Sequence, residues 1–116
     1  MKSHLSLATL LLAAGMASCI TTAIAAVDEE AAMALLKSNG CLKCHDVTRT
    51  KKGPAYKKVA AKYKDKPRDE AKAKLLNNVT KEPMVELEDG SKEKHKVIDT
   101  KDPKQLDNLF EFILTR

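Results

Sequence analysis

Cys41, Leu42, Lys43, Cys44 and His45 spell C-x-x-C-H, the one pattern in this chain whose residue types and spacing imply a definite chemistry. Two thiols three positions apart on one turn can reach the two vinyl groups along one edge of a porphyrin, and thioether bonds then hold it permanently. A histidine directly after the second cysteine is carried beneath the ring, where an imidazole nitrogen can bind the iron. Competing chemistries fit less well. A structural zinc site asks for four ligands, but His45 adjoins Cys44 instead of opening a separate histidine arm. A thioredoxin-type thiol pair expects a βαβ setting, whereas the flanks here read as helix and lysine-rich loop. A plain disulfide would leave His45 without a role. Attachment of one haem through Cys41 and Cys44, with His45 on the iron, uses all three residues.

Such a motif must be aimed by the elements around it. The pattern predicts a helix over 28–39, with Asp28 as N-cap and Met33 and Leu36 on one face. Asn39 and Gly40 form its stop signal, glycine supplying a left-handed turn. Gly53 and Pro54 are read as the start of a second helix reaching about Lys64, where Tyr56, Val59, Ala60 and Tyr63 recur at helical spacing. Pro67 opens a third helix to about Val79, with Asp69 and Glu70 in its first turn. The last helix has the sharpest boundary. Asp102 is a capping carboxylate, Pro103 takes the first helical position, and Gln105 follows as the second arm of a capping box. Leu106, Leu109, Phe110 and Ile113 form its apolar face, with Phe112 at the margin. Before it, the alternation of Val85 and Leu87, then His95 and Val97, around a turn at Asp89 and Gly90 predicts a short hairpin or irregular segment.

The first stretch has the layout of a secretory signal peptide: a short n-region with Lys2, an apolar run from Leu5 to Met16, then small residues to Ala25 and Ala26. The run is too short for a membrane-spanning helix, which needs roughly 20 apolar residues. Cleavage is expected after Ala26, or after Ala25. A competing lipoprotein-type box precedes Cys19, but methionine at its start suits it poorly. Export would leave residues 27–116 as one domain of 90 residues. With two Phe, two Tyr and no Trp in the whole chain, its own core is thin, and a large apolar cofactor would supply missing interior.

Charge is uneven. Between Lys43 and Lys74 there are 12 basic residues against 4 acidic ones, whereas from Lys81 onward the balance is 7 to 9. A solvated lysine-rich surface explains most of this; a basic ring could also steer an acidic partner. No nucleic-acid recognition motif is present.

Taken together, the Asn-Gly-Cys-x-x-Cys-His run, the lysine-rich loop, Gly-Pro-Ala-Tyr at 53–56 and the final Leu-Phe-Glu-Phe-Ile-Leu helix resemble the small bacterial class I c-type cytochromes, over essentially all of residues 28–116. The resemblance implies a mainly α, cytochrome c-like fold of about four helices around one haem c. It also implies that the Pro54 carbonyl bonds His45, orienting its ring. The family's first and last helices cross, which makes Leu36 and Phe112 the expected contact.

The second axial ligand departs from the family pattern. The usual distal methionine lies shortly before the last helix. Met84 has the right chemistry and follows Pro83, but it is 18 residues ahead of Asp102, whereas His95 is 7 ahead. In a hairpin, His95 and Val97 would share the inward face and Met84 would point opposite to Val85 and Leu87. His95 is therefore preferred over Met84, with an open site third. The function expected is single-electron transfer in the periplasm, without catalysis. Partners would be redox proteins with an acidic docking surface, and the chain itself a monomer or weak dimer. A gas-binding haem protein is the alternative.

Overall fold

The computed structural model describes residues 26–116. The expected signal segment, with Cys19, lies outside the described residues apart from Ala26. Four α-helices dominate: α1 (Glu29–Ser38), α2 (Tyr56–Tyr63), α3 (Arg68–Thr80) and α4 (Pro103–Leu114). A single 3-10 turn (Cys41–Lys43) follows α1, and two short strands, β1 (Met84–Glu86) and β2 (Lys92–Lys94), lie between α3 and α4.

Local chemistry explains the helix ends. The Asp28 carboxylate accepts from the Ala31 amide at 2.9 Å, with Glu29 and Glu30 in the first turn and Lys37 in the last, each charge opposing the helix dipole at its end. Gly40 stops α1 at φ 68°, its amide donating to the Lys37 carbonyl at 3.1 Å. A side chain there would carry the left-handed steric cost, and the reversal aims the chain directly into the cysteine turn. At α4 the Asp102 carboxylate accepts from the Lys104 amide at 2.9 Å, with Pro103 at the first position. The reciprocal arm expected of Gln105 is diverted: the Thr100 hydroxyl accepts from the Asp102 amide at 3.2 Å and donates to Gln105 Oε1 at 2.6 Å.

Helices α1, α2 and α3 all pack on α4. For that reason α4 buries more than one stripe. Leu106, Leu109, Phe110, Phe112, Ile113 and Leu114 are all buried, and Phe112, expected at the margin, is among the most deeply buried side chains together with Leu36 and Leu109. A helix with neighbours on several sides has no free margin on its inner half. Polar contacts fix the same packing at its edges. Asn108 clamps the backbone of Asp28 with two bonds of 2.8 Å. Lys72 of α3 bridges Asp107 at 2.6 Å and Glu111 at 2.8 Å on α4.

The hairpin pairs Met84 with Lys94, Val85 with Glu93 and Glu86 with Lys92, antiparallel. Gly90, at φ 83°, closes its tip by donating to the Leu87 carbonyl at 2.9 Å. Neither strand holds a buried residue. Backbone bonds anchor it instead: His95 N–H to the Pro83 carbonyl (2.8 Å), Glu88 N–H to the Lys52 carbonyl (3.1 Å) and Ile98 N–H to the Val79 carbonyl (3.0 Å). Val97, expected to point inward, is 37% exposed, and Ile98 is the residue that enters the core. Strand β2 ends at Lys94, so the two-residue alternation assumed for Val97 no longer applies beyond it.

Candidate functional site

After the cysteine turn the chain runs back along residues 53–57. Gly53 N–H donates to the Cys44 carbonyl at 2.8 Å, Tyr56 N–H to Asp46 at 2.9 Å and Lys57 N–H to Val47 at 3.0 Å. The last two bonds satisfy amides at the start of α2 that have no partner within the helix. This pairing carries the Pro54 carbonyl to 2.7 Å from His45 Nδ1. A carbonyl only accepts, so Nδ1 bears the proton and Nε2 is left as the coordinating nitrogen. It also corrects the expected helix boundary: α2 begins at Tyr56. Ala55 is extended there, at ψ 146°, and the Pro54 carbonyl serves the imidazole instead of a helical turn.

Two further residues hold His45. Tyr56, buried, stacks on it with ring centroids 5.1 Å apart and planes within 20°. Gly53 leaves the ring its space, because a Cβ there would stand 2.9 Å from His45 Cε1 and 3.3 Å from the Cys44 carbonyl oxygen. Burial holds the His45 pKa below its ordinary value; the Pro54 bond works against that and nearby His95 reinforces it. Burial also pushes the Tyr56 hydroxyl well above the usual phenol range, with the two thiols adding to the effect. The loop between is closed by Asp46, whose carboxylate accepts from the Thr48 and Arg49 amides at 2.9 and 3.1 Å. Those bonds bring its pKa down to about 2.

A second histidine, His95, stands close to His45. Its ring centroid lies 6.1 Å from that of His45, with the planes inclined by 45°. Its Nδ1 donates to the Lys96 carbonyl at 3.0 Å, again leaving Nε2 free. Imidazole–metal bonds run about 2 Å, and a ring centroid sits about a further 1 Å behind its nitrogen, so two imidazoles on opposite sides of one metal have centroids roughly 6 Å apart. The 6.1 Å separation of this histidine pair is of that size. Met84 is placed differently. By the register it pairs with Lys94, on the hairpin face opposite to that of Val85, and it is 60% exposed.

Cys41 and Cys44 are both half-buried and are not joined to each other. Burial raises the Cys41 pKa, and Lys96 opposes the rise. Lysines surround this turn: Lys51 Nζ donates to the Leu42 carbonyl at 2.6 Å, and Lys96 Nζ and the Lys43 side chain stand beside Gly40. Among the described residues no group of three or more His, Cys, Asp or Glu is arranged to hold a metal ion by itself, as a zinc site would require. No described helix is long and apolar enough to cross a membrane.

The structure thus brings together Cys41, Cys44, His45, Pro54 and His95, and adds Gly53 and Tyr56. Their sequence context assigns those two only helical roles. The signal for more is the Gly-Pro-Ala-Tyr run, whose turn pairs with the cysteine loop nine or so residues earlier.

The cytochrome c family model matches residues 30–116. Among solved structures, the class 1 cytochrome MtoD from Sideroxydans lithotrophicus ES-1 is 45% identical, with a TM-score of 0.71, covering 78% of this chain and 97% of that one. The N64Del mutant of Nitrosomonas europaea cytochrome c552 is 28% identical, with a TM-score of 0.54, covering 72% and 96%. No curated protein matches.

Proposed function

The chain belongs to the cytochrome c family, and from that premise we propose that it carries single electrons between redox proteins of the periplasm, its iron ligated by His45 and His95. That it is a monohaem electron carrier with haem c fixed through Cys41 and Cys44 follows from the family and the motif. The axial pair, the compartment and the nature of the partners are the finer parts of the proposal. The observation that carries the ligand assignment is the 6.1 Å separation of two imidazoles whose Nδ1 atoms are each engaged by a backbone carbonyl.

Haem c supplies a reversible one-electron couple at its iron. What the protein contributes is a fixed environment. Pro54, Gly53 and Tyr56 hold one imidazole, and the hairpin base holds the other, so neither ligand has far to move when the charge of the site changes. Carbonyls on both Nδ1–H groups make the rings more basic donors. With no thioether on the iron, the potential falls below that of a His/Met carrier. The lysines beside the cysteine turn leave a positive rim around the attachment edge, which suits an acidic docking surface. The apolar run at 5–16 supports export.

The ferric optical spectrum tests the assignment. A low-spin spectrum without the weak long-wavelength band of methionine ligation is expected. Presence of that band would transfer the ligand role to Met84, and a high-spin spectrum would mean an open distal side.

A further inference from the structure

The buried polar side chain among the described residues is Asn39, 6% exposed at the end of α1. Its Oδ1 accepts from the Asp99 amide at 2.9 Å, across 60 positions of sequence. Its Nδ2 donates to the Leu35 carbonyl at 3.0 Å. We infer that Asn39 is a positioning residue for the distal ligand, tying the segment that carries His95 to the turn that carries the cysteines. The inference rests on the reading of His95 as a ligand.

The identity of residue 39 is not demanded by the helix end. Asn39 has φ −91° and ψ 3°, and the left-handed position belongs to Gly40. Nor does Leu35 need the amide, because its carbonyl already accepts from the Asn39 backbone at 3.2 Å. Asp99 N–H is different. Its bond to Asn39 is the one the structure gives it; Asp99 itself is exposed, so what the bond contributes is a link between two segments 60 positions apart. The remaining backbone anchors of residues 95–99 lead elsewhere, His95 to Pro83 in the α3–β1 connection and Ile98 to Val79 in the last turn of α3. Among the described residues, only the Asn39 side chain hydrogen-bonds this segment to the end of α1, one residue from Gly40 and two from Cys41. Lys96, whose Nζ lies beside Gly40, shows how closely the two segments approach. Without the amide, residues 95–99 lose their tie to the attachment side, and His95 leaves the iron more often.

The test compares Asn39→Ala and Asn39→Asp in the haem-loaded protein, reading carbon monoxide association with the reduced form, the ferric spectrum and denaturant stability. Asn39→Ala removes the acceptor and should capture carbon monoxide about tenfold faster. Asn39→Asp keeps an acceptor for Asp99 but puts a negative charge at the C-terminal end of α1. It should be the less stable variant and yet bind carbon monoxide nearly as slowly as the unaltered protein. Rates that instead follow stability, with Asn39→Asp the faster, would reduce Asn39 to a structural cap and overturn the inference. So would an unchanged rate in Asn39→Ala. If Asn39→Ala does not accumulate, Asp99→Pro removes the same N–H from an exposed position; faster capture is expected, and an unchanged rate again overturns it. His95→Ala separates the two levels. If it leaves the ferric spectrum unaltered, the ligand reading itself has failed; if it alters the spectrum while the Asn39 variants behave as the unaltered protein, only the Asn39 inference has.

Discussion

The imidazoles of His45 and His95 lie with their centroids 6.1 Å apart, each anchored through Nδ1 to a main-chain carbonyl. They come from segments far apart in sequence, one from the turn after α1 and the other from the base of the β1–β2 hairpin. Neither anchor uses a side chain. Substitutions that leave the backbone in place therefore keep both hydrogen bonds, and only Tyr56, stacked on His45, and Gly53, which leaves it room, touch a ring more directly.

His95→Ala should convert the low-spin ferric protein to a high-spin or water-ligated form and open the reduced protein to carbon monoxide. Met84→Leu should leave both properties unchanged, because Met84 is largely exposed and lies on the hairpin face opposite to Val85. Optical spectra and potentials of the two variants decide the matter; a potential that drops in Met84→Leu and not in His95→Ala would reverse the assignment.

Gly53→Ala puts a methyl group 2.9 Å from His45 Cε1, against a ring already fixed by Pro54 and Tyr56. The variant should lose about 1–3 kcal/mol of stability and show a broadened or mixed-spin ferric resonance. Denaturant titration and paramagnetic resonance measure the two effects. An Ala substitution at Gly90, where a Cβ meets nothing within 4 Å, supplies the contrast: backbone strain without a change at the iron.

Lys72 links α3 to α4 through Asp107 and Glu111. Burial pulls its pKa down, but the hydrogen bonds and charges of those two carboxylates outweigh it, and the net shift is upward from 10.5. A raised cation pKa in the folded state stabilises fully below the unfolded value. That contribution fades as pH climbs through the folded value. Lys72→Met should cost about 0.5–1 kcal/mol near neutral pH, a screened surface-type figure since Asp107 is largely exposed. The difference from the unaltered protein should shrink in strongly alkaline solution. A deficit constant across that range would show that packing of the lysine stem, not its charge, is what was lost.

Glu82 sits at φ 49° between the end of α3 and Pro83, a left-handed conformation that suits glycine. Glu82→Gly should raise stability by about 0.5–1 kcal/mol, seen as a higher denaturant midpoint with an unchanged slope. A lower midpoint would mean that the carboxylate makes a contribution larger than the strain.

Electron exchange with an acidic partner should slow as ionic strength rises past the point where the screening length falls below about 10 Å. Replacing Lys43 and Lys96 by Gln should flatten that dependence. Rates indifferent to salt would place docking away from the cysteine edge.

Much of the fold and the site is legible in the order of the residues. Asp28, Gly40 and Asp102 with Pro103 act within their own turn, so their residue types alone mark the helix ends. The C-x-x-C-H run is likewise local, its parts within five residues. The spacing of 7 residues to Asp102, against 18 for Met84, sets His95 apart in the sequence. What stays hidden depends on partners distant in sequence. Nothing near Asn39 shows that its amide reaches Asp99, and nothing near Gly53 shows that His45 fills the space a side chain would need. Phe112 lies deeper than its helical position suggests because a stripe on one helix carries no record of how many neighbours will cover it.

The hairpin has no buried residue, so little apolar contact resists its opening. Its amides should exchange with solvent deuterium through local excursions, while those of α1 and α4 wait for rarer, near-global unfolding. His95 stands at the border between these two regimes, just after the loosely held strands and three residues before buried Ile98. The lifetime of the distal contact is then set by how far a hairpin excursion spreads along the chain before Ile98 stops it. Exchange measured amide by amide from Glu93 to Asp99 would trace that boundary.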